Sequence, residues 1–290
     1  MTNKNGNEKE MKFRLIDCEI YDDTKYPGEI KSEISHSNLD EYLSENSDNG
    51  ESADDDSNPV PQPEKNKYVL QSKCVVQLFG KDKQGQSYCC YVQGFKPFFY
   101  LKVDENWNKR ILSKFVKEIT QRLGTRYKQS IATVELVEKK TLYGFDNNKL
   151  YSFVKIAFHN IECYNKTKRI FLQYVQDTSY ENTEEDEGEE KRKKQVEIVY
   201  PFQYRQSGQT KETIIRIYEP NVQPILRFFH VKNISPSGWV QMNFTDSILL
   251  TTYNTSRIDT CQNRFHILVD HIQPYECDDI IPLKICSFDI

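Results

Sequence analysis

The sequence predicts an α+β protein, with a helix packed on one face of a largely antiparallel sheet. Three observations carry that expectation. Alternating apolar runs bounded by Gly, Pro, Asn and Asp recur from Phe13 onward, which is the pattern of strands and turns. Trp107, Ile111, Phe115, Ile119 and Leu123 recur at steps of four, the apolar stripe of one amphipathic helix. Aromatic residues make up 12% of the chain and supply the bulk of a core.

In chain order, residues 1–31 comprise a polar tail and a first strand over Phe13–Tyr21. Residues 32–66 form an acidic stretch rich in Ser, Asn and Pro. It is expected to stay disordered, because it cannot bury enough apolar surface to offset its ordering entropy. Residues 67–176 form the main patterned body. Tyr68–Gly80 and Ser87–Val92 are the two arms of a hairpin around Gly85, followed by Phe98-Phe99-Tyr100, read as aromatic core packing at a corner in preference to base stacking. Asp104 is placed as the N-cap of the helix, which stops at Gly124. Strands are expected over Ile131–Val137 and Leu150–Phe158.

Residues 177–212 read as a second charged insertion around an apolar-aromatic piece, Val196–Tyr204. Its run Lys191-Arg192-Lys193-Lys194 is read either as a nuclear-localisation signal or as local charge balance. Residues 213–274 add a strand over Ile214–Tyr218, a short helix capped by Asn221 and closed by Asn233, and a strand-like Asn263–Asp270. Residues 275–290 lead into a last buried strand ending Ser287-Phe288-Asp289-Ile290. A carboxylate in so apolar a run is costly unless it is paired or bound to a metal, so Asp289 is a candidate functional residue. The chain stops one residue later and is expected to be cut from something longer.

Charge is unevenly distributed. Residues 32–64 hold ten acids and 177–190 hold eight, neither with a Lys or Arg; setting both aside turns the net −4 into +14. A basic body suits a polyanion partner. The eight cysteines contain no CxxC pair, which argues against zinc and for reduced thiols in an intracellular protein. No apolar run approaches a membrane span. Phosphate-loop, nucleophile-elbow and clustered-histidine motifs are missing from the sequence.

One stretch points to nucleic acid. Lys149-Leu150-Tyr151-Ser152-Phe153-Val154-Lys155-Ile156 lies over the RNA-recognition pattern K/R-G-F/Y-G/A-F-V-x-F/Y and departs from it at Leu150, Ser152 and Ile156. Tyr151 and Phe153 would share a sheet face suited to base stacking, flanked by Lys149 and Lys155; the alternative is an ordinary aromatic strand.

Several segments together resemble the delta-like family B DNA polymerases of eukaryotes and large DNA viruses. Val92-Gln93-Gly94-Phe95-Lys96-Pro97-Phe98-Phe99-Tyr100, Tyr218-Glu219-Pro220-Asn221-Val222 and Pro282-Leu283-Lys284-Ile285 resemble successive family segments, and Ser287-Phe288-Asp289-Ile290 resembles the opening of the first exonuclease motif. Pro220, Lys284 and Phe98 depart from the commonest family residues.

The resemblance implies an N-terminal domain containing an RNA-recognition-like β-α-β-β part, then the first strand of a ribonuclease H-like 3′-5′ exonuclease domain. It implies Asp289 as a catalytic ligand of Mg²⁺ in proofreading. Primer-template DNA and deoxynucleoside triphosphates are the implied partners of the whole enzyme, with a sliding clamp reached through other regions and no membrane. Its implied place is intracellular, at the nucleus or a viral replication site. The fragment alone is expected to be inactive. A stand-alone single-strand-binding module and a nuclease of the same superfamily without polymerase remain the alternatives.

Overall fold

A computed structural model describes residues 9–24, 72–141, 147–173, 175–177, 196–206, 208–244 and 259–281. The acidic stretch 32–66, the run Lys191–Lys194 and the terminal strand with Asp289 lie outside the described residues.

In chain order the strands begin with β1 (Lys9–Asp23), β2 (Lys73–Lys81), β3 (Ser87–Gln93) and β4 (Phe98–Lys102). Helix α1 (Lys109–Leu123) and a single turn α2 (Thr125–Lys128) precede β5 (Ile131–Lys140) and β6 (Leu150–Phe158). Helix α3 (Ile161–Leu172) leads to the short pair β7 (Val175–Asp177) and β8 (Val196–Ile198), then β9 (Tyr200–Gln206) and β10 (Gln209–Tyr218). Helix α4 (Pro224–Lys232), β11 (Trp239–Phe244), β12 (Asn263–Leu268) and β13 (Ile272–Tyr275) complete the order.

The α+β expectation holds, with two main sheets. One is six-stranded in the order β12-β3-β2-β1-β11-β13, with only the β12–β3 pair parallel. Its core gathers Phe13, Leu78, Val92, Phe228, Val240 and Met242. The second is five-stranded and antiparallel, in the order β5-β6-β4-β10-β9. Its units β4-α1-β5-β6-α3-β10 form a β-α-β-β-α-β arrangement, in which the first strand lies between the third and the last. Both longer helices pack on one face of this sheet, so its other face is left to other uses.

Helix α1 forms where the step-of-four pattern places it. Ile111, Leu112, Phe115, Val116, Ile119 and Leu123 are buried, and Gly124, at φ 82°, donates its amide back to Thr120 and Gln121. The start differs from expectation. Asn108 is the N-cap, accepting from Ile111 N at 3.1 Å, whereas the Asp104 carboxylate accepts from Thr213 Oγ1 on β10. A tertiary partner for Asp104 outcompetes the local cap. Trp107 lies before the helix, its ring 5.4 Å from Phe115 and 5.6 Å from Phe202.

Helix α3 has no counterpart in the sequence reading. Asn160 caps it, accepting from Cys163 N at 2.8 Å, and Asp22 of β1 accepts from Ile161 N at 2.7 Å and Glu162 N at 2.9 Å. One carboxylate thus ties the two sheets together. Part of the presumed insertion is also sheet: β9 pairs along β10 and buries Tyr200, Phe202 and Tyr204 in the helix-side core. For the short helix, Gln223 rather than Asn221 stands at the N-cap, with Pro224 starting the helix; Asn233 closes it in the left-handed region, as expected.

Candidate nucleic-acid interface

Strand alternation divides the five-stranded sheet into two faces. Phe99 and Leu101 on β4, Val154 and Ile156 on β6, and Ile215 on β10 point into the core beneath α1 and α3. Phe98, Tyr100 and Lys102, then Tyr151, Phe153 and Lys155, then Arg216 and Tyr218 therefore lie on the opposite face. The ladder places Tyr100 opposite Lys155 and Tyr218, and Lys102 opposite Phe153 and Arg216.

On this face four rings form a continuous edge-to-face row. Ring centroids lie 5.5 Å apart for Phe98–Tyr100, 6.2 Å for Tyr100–Phe153 and 5.3 Å for Phe153–Tyr218, with interplanar angles of 75–79°. Cations stand over the rings. Lys102 Nζ is 3.9 Å and Lys149 Nζ 5.2 Å from the Tyr151 centroid, and Lys155 Nζ is 4.9 Å from that of Phe98. The Arg227 guanidinium of α4 lies 5.2 Å from Phe98 and 5.9 Å from Tyr100.

Helix α4 overhangs one side of the face and encloses a cavity of about 740 Å³. Tyr100, Phe153 and Tyr218 line it together with Arg227, and Lys139 and Lys140 of β5 line it as well. Arg227 is buried; it donates to Glu219 Oε2 at 3.1 Å and to the Glu219 carbonyl at 3.3 Å, while its Nε, which also faces no solvent, makes no hydrogen bond. Burial raises the Tyr100 phenol above its ordinary range, against the opposing pull of Arg227. An aromatic floor with a cationic surround can stack bases and hold backbone phosphates.

The sequence-derived residues fall as follows. Tyr151, Phe153 and Lys155 share the open face and Lys149 is exposed at its margin, ion-paired to Glu105 at 3.0 Å. Phe153 is only 2% exposed, so it forms the floor of the cavity and not its rim. The reading of Phe98-Phe99-Tyr100 as corner packing is corrected: Phe99 alone enters the core, and its two neighbours face outward. Phe98, Tyr100, Tyr218 and Arg227 were missing from the sequence-derived set. The alternation around Phe99 was the signal for the first two; Arg227 reaches the face only through tertiary packing.

Asp289 lies outside the described residues. Among those described, no group of three or more His, Cys, Asp or Glu is arranged to hold a metal, and no helix is long and apolar enough to cross a membrane. The seven described cysteines are free thiols.

Comparison with known proteins bears on both halves of the chain. The family model for the DNA polymerase delta catalytic subunit-like N-terminal domain matches residues 94–165, which run from the approach to β4 into α3. The model for the family B DNA polymerase exonuclease domain matches residues 215–290. A DNA polymerase of Phaeocystis pouchetii virus is 36% identical over 225 residues, covering 77% of this chain and 19% of the relative. One from Pyramimonas orientalis virus is 26% identical over 226 residues (76% and 15%), and the Drosophila melanogaster DNA polymerase delta catalytic subunit is 30% identical over 90 residues (29% and 8%). A solved family B DNA polymerase from Pyrobaculum calidifontis aligns with 73% of this chain and 19% of its own at 15% identity and a TM-score of 0.40, a loose likeness.

These matches agree on one class of protein, the DNA polymerases. The chain belongs to family B of that class, with a delta-like N-terminal domain leading into exonuclease-domain sequence. It spans about a fifth or less of the length of these relatives.

Proposed function

We propose that this chain is the N-terminal part of a replicative DNA-directed DNA polymerase with 3′-5′ proofreading, and that its aromatic sheet face holds single-stranded template beside the exonuclease. The row Phe98, Tyr100, Phe153 and Tyr218 with its overlying cations carries the reading. Phe98, Tyr100 and Phe153 stand on the part of the chain matched by the delta-like N-terminal model, and Tyr218 on β10 falls within the part matched by the exonuclease-domain model. Stacking on ring faces is sequence-tolerant, as template passage requires, and lysines close to the rings can follow the backbone.

In the same reading Asp289 is one ligand of the divalent metals of the exonuclease. Mg²⁺ there would activate water and stabilise the leaving oxygen as a 3′ nucleotide is removed. Primer-template DNA and deoxynucleoside triphosphates are the partners of the whole enzyme, with a sliding clamp engaged elsewhere, at an intracellular replication site. The chain alone has neither activity.

The test is affinity for oligothymidylate. Tyr100 and Tyr151 are part-exposed rings of this face, so Tyr100→Ala with Tyr151→Ala removes rings that a base can reach. Together they should weaken binding by about 1–3 kcal/mol for each lost stack. Unchanged affinity in the folded double variant returns this face to scaffold.

A further inference from the structure

One end of the six-stranded sheet is crossed by the segment that carries the chain toward Asp289. The ladder sets Lys81, Arg14, Trp239 and Tyr275 side by side on β2, β1, β11 and β13. Tyr275 closes the edge strand β13, yet Asp279, four residues on, reaches the β2–β3 turn. Its carboxylate is ion-paired to Lys83 on that turn, and its carbonyl accepts from Trp239 Nε1 at 3.1 Å. The segment therefore runs back across the sheet end and not away from it.

Asp279 is held from three sides. The Cys277 thiol donates to the same carboxylate oxygen at 3.2 Å, and the Lys83 ammonium lies 6.0 Å from the Trp239 ring centroid. That ammonium holds the Asp279 carboxyl below the usual carboxylate range. Both supports are themselves fixed. Trp239 is buried, and the turn is built on Asp82, which accepts from Gln84 N, Gln86 N and Tyr88 Oη, each at 2.9 Å. Ile281 is again buried, and Asp289 follows eight residues later. An exposed ion pair alone is worth little, so the buried indole is the stronger of the two anchors.

We propose that Trp239, assisted by Lys83, is a positioning residue for 3′-5′ excision: it fixes the point on the six-stranded sheet from which the chain proceeds to Asp289. The proposal rests on the metal-ligand reading of Asp289 given above. Both side chains act through Asp279. Such an anchor matters because a misplacement of about 1 Å at a reacting centre can cost on the order of a hundredfold in rate.

The experiment uses the whole polymerase. Trp239→Phe keeps an aromatic ring and removes the donor; Lys83→Gln removes the charge at an exposed site. Trp239→Phe should lower kcat for excision from a mismatched primer about tenfold, with KM and primer extension at parental values. Amide exchange in the peptide 280–290, followed by mass spectrometry, should quicken about fivefold, the scale of one hydrogen bond. Lys83→Gln should change both in the same direction by about twofold, and Lys83→Arg should restore them. Equal loss of excision and extension, or parental exchange and excision in both variants, overturns the positioning role. Asp289→Ala, assayed alongside, keeps the two readings apart. Parental excision there overturns the metal-ligand reading, whereas abolished excision there beside parental Trp239→Phe overturns the anchor alone.

Discussion

Arg227 Nη1 lies 3.1 Å from Glu219 Oε2, joining a buried guanidinium on α4 to a residue held at φ 52° just after β10. The pair fixes how the helix overhangs the open sheet face. Glu219→Gln leaves Arg227 buried without its counter-charge. Because the carboxylate is more than a third exposed, the expected cost is discounted to about 1–2 kcal/mol from the several typical of a buried pair. Denaturant unfolding of the variant measures it, and loss of the same amount in high salt would indicate that packing and not charge was removed.

Gly80 is predicted to tolerate no side chain. A Cβ there would overlap the Phe13 ring and the Arg14 carbonyl, both from the neighbouring β1. Gly80→Ala should destabilise the six-stranded sheet by about 3 kcal/mol, at the upper end for overpacking. A thermal melt within a degree of the parent would show that β1 lies differently.

His266 gives the fold an acid sensitivity. Its ring stacks on Tyr91 at 4.7 Å, and burial lowers its pKa from 6.5 to about 4, although Asp23 pulls the other way. Its folded pKa is depressed, so the stability it contributes is present above pH 6.5 and is lost as pH falls from there toward 4. The loss should reach about 3 kcal/mol at most. His266→Phe, compared with the parent by denaturant unfolding at pH 7 and pH 4.5, should flatten that part of the profile.

For Asp289 the prediction concerns the whole polymerase. Asp289→Ala should reduce 3′-5′ exonuclease activity by orders of magnitude while leaving primer extension near the parental rate, since one of the implied metal ligands is gone. Equal loss of both activities would point to a structural carboxylate.

Much of this architecture was legible because its signals are local. The step-of-four apolar pattern and Gly124 define α1, and Asn233 closes α4 with its left-handed conformation. The octapeptide at 149–156 placed Tyr151 and Phe153 on one face, which follows from alternation alone. What was not legible depends on distant partners. Helix α3 carries a polar middle, Asn165-Lys166-Thr167-Lys168-Arg169, and half its cap comes from Asp22 on β1. Its local traces were Asn160 at the cap position and the spacing of Cys163, Tyr164, Thr167 and Phe171. Strand β9 was obscured by the charged residues before it, although Tyr200, Phe202 and Tyr204 alternate cleanly. Asp104 looked like a cap until Thr213, over a hundred residues away, supplied a better partner.

The central claim, that single-stranded template crosses the aromatic face, is tested most directly by photocrosslinking. Oligothymidylate carrying 4-thiothymidine would be irradiated with the full chain and the attached peptides mapped by mass spectrometry. The account predicts adducts on the peptides containing Phe98, Tyr100 and Tyr151, and their loss with Tyr100→Ala and Tyr151→Ala. Adducts confined to α1 and α3, on the opposite side of the sheet, would contradict it.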